Sequence, residues 1–139
     1  MLTAFLDSNV IVKYLRGEGA SADLFDNAIR AKVRLAINPI VLQELFAIAE
    51  VRRQPELLDA LQRDLAVLPV DFTRSAHVLE RVSALRNRIA HSNDVLIFGS
   101  AADCDYFVTY DQDFAAIAVE GRPKIVTPEQ LLLELEARG

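Results

Sequence analysis

The chain has 139 residues, enough for one domain with a real core, and 52% of them are hydrophobic, which suits a sheet covered on both faces. No apolar run approaches the roughly 18 residues of a membrane span, and the N-terminus enters a strand without a basic leader, so a cytoplasmic protein is expected. A single cysteine, Cys104, excludes an internal disulfide, and the isolated His77 and His91 lack zinc spacing.

In chain order, short β runs alternate with helical stretches. Residues 3–6 read as a first strand and 10–15 as a helix. Residues 20–31 read as a second helix with Leu24, Ala28 and Ile29 inward. Residues 33–37 alternate as a strand and end at Asn38-Pro39, a good helix start; that helix runs to about residue 53, before Pro55. Residues 56–65 form another helix, 66–70 a third strand, and 73 to about 88 a long amphipathic helix. Residues 94–102 make a short, almost wholly apolar helix. Strands follow at 106–109 and 124–126, and a helix at 128–137 closes the chain. Strands separated by helices predict one α/β domain over residues 1–139, three layers (α/β/α) with a parallel sheet of four to five strands. Ligands of such sheets gather at the carboxyl ends of the strands.

Four carboxylates stand near those ends or on an apolar helix face. Asp7 closes the first strand in LDSN, where it serves equally as a turn or cap residue. Glu44 has Ile40, Val41, Ala47 and Ile48 as its helical neighbours, so it projects from an apolar face. A buried salt bridge is the plain alternative there. Asp94 opens the apolar helix after Ser92 and Asn93, a strong capping sequence. Asp111 and Asp113 follow the fourth strand in VTYDQDF, with Thr109 placed to orient either one. Two carboxylates about 5 Å apart repel by roughly 3 kcal/mol at an effective dielectric of about 20. Convergence of all four therefore calls for cations or raised pKa values, and hard oxygen donors without His or Cys select Mg²⁺ or Mn²⁺. The net charge of −5 does not exclude a nucleic-acid partner, because without these five acids 15 acids face 15 bases.

LDSNVIVKYL, Glu44 in NPIVLQELFAIAE, Asp94 before a small-residue helix, and VTYDQDF together resemble the PIN-domain ribonucleases. More narrowly, the chain resembles the VapC toxins of bacterial toxin–antitoxin pairs. The resemblance covers essentially the whole chain. It implies a catalytic quartet of Asp7, Glu44, Asp94 and Asp111 that binds Mg²⁺ or Mn²⁺ and hydrolyses RNA, with metal ligation by Asp7, Asp94, Asp111 and Asp113. Asn9 and Thr109 match the family's polar support. The family often has proline and glycine before the third acid, where this chain has Ala90-His91-Ser92-Asn93. The resemblance further implies a cognate antitoxin and a homodimer. Lys13, Arg16, Arg52 and Arg53 are candidates to guide the RNA backbone, though each also suits a solvated helix face. One rival is a receiver-type phosphoacceptor domain built on Asp71, Thr109 and Lys124. Another is a metal-free binding module that kept the fold.

Overall fold

The computed structural model describes residues 1–85, 92–117 and 122–139. Five strands form one parallel sheet in the order β3-β2-β1-β4-β5, with β1 Leu2–Leu6, β2 Val33–Ile37, β3 Ala66–Val67, β4 Tyr106–Val108 and β5 Lys124–Val126. β1 is central, pairing Phe5 with Ala36 of β2 and with Phe107 of β4. A strand enclosed on both sides and both faces must be apolar throughout, and Ala4, Phe5 and Leu6 are fully buried. The chain leaves β1 towards β2 and β3 on one side and reaches β4 and β5 on the other. The carboxyl ends of β1 and β4 therefore flank the crevice where such sheets bind ligands.

Helices cover the sheet: α1 Ser8–Leu15, α2 Gly19–Asp23, α3 Asn27–Arg30, α4 Pro39–Phe46, α5 Ala49–Arg52, α6 Pro55–Asp64, α7 Phe72–Leu85, α8 Ser92–Ser100 and α9 Pro128–Arg138. Two helices expected to be continuous are broken. The one over residues 20–31 divides into α2 and α3, with Leu24 buried at the break, Phe25 stacked on Tyr14 of α1, and Ala28 exposed rather than inward. The one over residues 39–53 divides at Ile48, whose backbone is extended. The Arg52 guanidinium donates to the carbonyls of Phe46 and Ala47 and so satisfies the end of α4. The third strand stops at Val67 rather than residue 70, because Pro69 has no N–H to give a ladder. Residues 86–88 of the expected long helix lie outside the described residues.

Asn38 is fully buried between β2 and α4. Its Oδ1 accepts from the Ile40 and Val41 amides at 3.1 and 3.0 Å, capping α4. Its Nδ2 donates to the Leu96 carbonyl at 3.1 Å and to Ser100 Oγ at 2.9 Å. One side chain thereby fixes α4, which carries Glu44, against α8, which carries Asp94. Below the carboxyl edge, Phe98, Phe107 and Phe114 pack in edge, stacked and tilted contact, with centroids 4.7 to 5.9 Å apart.

Candidate active site

Asp7 caps α1 from the end of β1 and is only 5% exposed. Its Oδ1 accepts from the Ser8 amide at 2.8 Å. Its Oδ2 accepts from the Thr109 hydroxyl at 2.8 Å and from Asn9 Nδ2 at 3.3 Å. The Thr109 hydroxyl in turn accepts from Asn9 Nδ2 at 3.3 Å and from the Asp111 amide at 3.0 Å. Asn9 Oδ1 accepts from the Tyr110 amide at 3.2 Å. The end of β4 is thus fastened to the start of α1 around one carboxylate. Both residues expected to support the site, Asn9 and Thr109, touch Asp7.

Burial raises the Asp7 carboxyl from its ordinary 3.8 to about 6, against the lowering effect of the Thr109 and Ser8 hydrogen bonds, and the negative charges of Glu44 and Asp94 raise it further. Asp7, just after β1, thus feels the charges of Glu44 on α4 and Asp94 on α8. Glu44 is half-buried, and its Oε1 accepts from Ser8 Oγ at 2.8 Å. Ser8 is a partner that the sequence does not reveal, because a serine after a strand-end aspartate reads as a cap. Asp94 lies in the first turn of α8 rather than opening it, since the helix runs Ser92–Ser100 instead of 94–102. His91 lies outside the described residues.

Asp111 is tied to Thr109 by its backbone amide, while its Oδ1 accepts from the Asp113 amide at 2.9 Å and orders the turn into the 3₁₀ helix Gln112–Ile117. Phe114, fully buried, anchors that turn in the aromatic cluster. Asp113 itself is exposed. Among the described residues, no three acids stand close enough as placed to hold an ion. The donor set nevertheless fits a hard divalent cation. It consists of carboxylate oxygens, and among the described residues no lysine or arginine forms an ion pair with Asp7 or Glu44. Burial is the main cause of the raised Asp7 value, and a cation would reverse the smaller repulsion from Glu44 and Asp94.

Of the expected RNA guides, Lys13 has its Nζ 4.6 Å from the centre of the Tyr110 ring and 3.9 Å from Glu18. Tyr110 OH meets Ser21 and donates to Glu129 at 3.1 Å, fixing that ring. Arg16 caps the far end of α1 and pairs with Glu50 at 4.0 Å. Arg52 is engaged in closing α4. The receiver layout does not form. Asp71 follows the edge strand, accepts from the Arg74 amide at 3.0 Å and pairs with its guanidinium, whereas Lys124 pairs with Glu134 on α9.

The PIN domain family matches residues 4–120. Among solved structures, VapBC2 from Rickettsia felis, bound to a DNA fragment from its promoter, has a chain that superposes with a TM-score of 0.72 at 18% identity, covering 90% of this chain and 97% of that one. DNA-bound VapBC from Salmonella typhimurium gives 0.71 at 19% identity, covering 92% and 99%. VapBC-5 from Mycobacterium tuberculosis, a toxin–antitoxin system, gives 0.58 at 23% identity, covering 91% and 99%. No curated protein matches the sequence.

Proposed function

The chain belongs to the PIN-domain family, and from that premise we propose that it is a metal-dependent endoribonuclease, the toxin of a toxin–antitoxin pair. The observation that carries the reading is the buried Asp7 carboxylate, held by Asn9 and Thr109 and pushed up to about 6 with Glu44 and Asp94 among the causes. A cap accounts for the Ser8 bond to Asp7 but not for those from Thr109 and Asn9 to its other oxygen.

In this reading Asp7, Asp94 and Asp111, joined by Asp113, would hold Mg²⁺ or Mn²⁺. When bound, the ion supplies acidification of a water and neutralisation of charge on the phosphate. The chain's own groups do the rest. Ser8 occupies Glu44 Oε1, leaving Oε2 to position the attacking water and take its proton. Thr109 and Asn9 keep Asp7 in one orientation. Lys13, fixed over Tyr110, meets an RNA phosphate beside the site, and Arg16 extends the positive track along α1. Cleavage leaves 5′-phosphate and 3′-hydroxyl ends, as the family's chemistry implies. A cytoplasmic homodimer held in check by a cognate antitoxin completes the proposal. It is supported by the likeness in fold to chains from VapBC complexes and by the lack, among the described residues, of a helix long and apolar enough to cross a membrane.

The test is incubation of purified protein with total RNA, with Mn²⁺ and with EDTA, followed by mapping of the new ends. Cleavage that needs Mn²⁺ and is lost in Asp7→Asn and Asp94→Asn is expected. Near-wild-type cleavage by a folded Asp7→Asn protein contradicts the assignment.

A further inference from the structure

A hollow of about 330 Å³ opens at the carboxyl ends of β4 and β5, with Asp111 in its wall. Its walls include Thr109 and Asp111, so it is continuous with the proposed active site. Val126 and Ile125 give it an apolar wall, Ala115 a small one, and Gln112, Thr127 and Gln130 polar edges. The size lies within the roughly 300–1,000 Å³ of small-ligand sites. No lysine or arginine is among its described walls and Asp111 is, so the hollow does not suit a phosphate or another anion. It suits a neutral group with an apolar face and with both donors and acceptors along its edge.

Resting on the nuclease reading, we infer that this hollow is a subsite for one unpaired nucleobase next to the scissile bond, and that Gln112 and Gln130 read its edge. Single-stranded RNA is recognised by placing splayed bases against flat surfaces and bonding their edges. Glutamine amides suit this, offering a donor and an acceptor side by side. The Gln130 amide is fixed in orientation, because its Oε1 accepts from the Thr127 amide at 2.8 Å in a capping box, which aims the Nε2 donors elsewhere. Gln112, exposed at the start of the 3₁₀ helix, supplies the second amide. Because Thr109 and Asp111 line both places, the base held here belongs to a nucleotide adjoining the phosphate at the carboxylates.

The experiment uses a pool of randomised single-stranded RNA, the full chain and Mn²⁺, with the cut ends sequenced. Gln130→Glu keeps the capping box but turns the donor edge into an anionic acceptor. Gln112→Ala removes the other amide, and Ala115→Phe fills the hollow. At one position beside the cut, each variant is expected to shift the base frequencies by about five- to tenfold relative to wild type, normalised to total cleavage. Thermal melting identifies any variant that does not fold, and the other two then carry the comparison. Wild-type cleavage with base frequencies that no folded variant alters overturns the subsite and leaves the nuclease reading standing. A wild-type protein that cuts nothing overturns that reading, and the subsite with it.

Discussion

Asp7 is the residue on which the site turns, and its environment has a measurable cost. With its carboxyl raised from 3.8 to about 6, the folded chain keeps a proton that the unfolded chain has already released. Stability from this group is complete below the lower value and is lost as pH climbs to the upper one, a loss of about 3 kcal/mol. Urea unfolding in EDTA at pH 4 and pH 7 is expected to show that loss in wild type and not in Asp7→Asn; equal pH dependence in both contradicts it. Thr109 acts on the same carboxylate with its one hydroxyl proton. Thr109→Val removes that bond and the acceptor for the Asp111 amide while keeping the shape. Mn²⁺ affinity, read by calorimetry, is expected to fall about 10- to 100-fold. The sequence singles out Glu44 by its apolar helical neighbours and Asp7 by its place at a strand end, where it is also the cap of α1. Ser8 was not legible there, since its bond to Glu44 joins residues 36 apart.

At the scale of elements, the strands were legible wherever pattern and punctuation agreed. Residues 33–37 and 124–126 match β2 and β5 in full. The helix breaks at Phe25 and Ile48 were not, because neither carries proline or glycine; Phe25 stacks on Tyr14 of α1, and Arg52 closes the end of α4 from the next helix. The tie between α4 and α8 is equally hidden: Asn38 reads as a cap, yet half of its bonds go to α8. Asn38→Ala is therefore expected to destabilise the fold by about 2–3 kcal/mol, more than a cap alone, as measured by denaturant unfolding. A loss below about 1 kcal/mol is incompatible with that tie. Gly99 makes a second such contact. A Cβ there would stand 2.9 Å from the Ser75 backbone nitrogen and 3.0 Å from its Cα, so α7 and α8 can meet only at glycine. Gly99→Ala is expected to cost about 1–3 kcal/mol. Ser75→Gly should restore little of it, because the backbone remains in the way.

Across the whole molecule, topology supplies what no local pattern contains. Nothing in a residue string gives the order β3-β2-β1-β4-β5, yet that order brings the end of β1 beside the end of β4, a hundred residues later. The charge distribution follows the same line. Outside Asp7, Glu44, Asp94, Asp111 and Asp113 the chain is balanced, so its excess charge of −5 is equal in size to the proposed site. A divalent ion at the proposed site would offset much of that excess. Calorimetric titration of Mn²⁺ into the metal-free protein tests this most directly, with Asp7→Asn and Asp94→Asn as comparisons. Saturable binding by wild type, weakened at least about tenfold in each folded variant, is the expected result. Wild-type protein that shows no saturable binding, or variants that bind Mn²⁺ as tightly as wild type, would contradict the account.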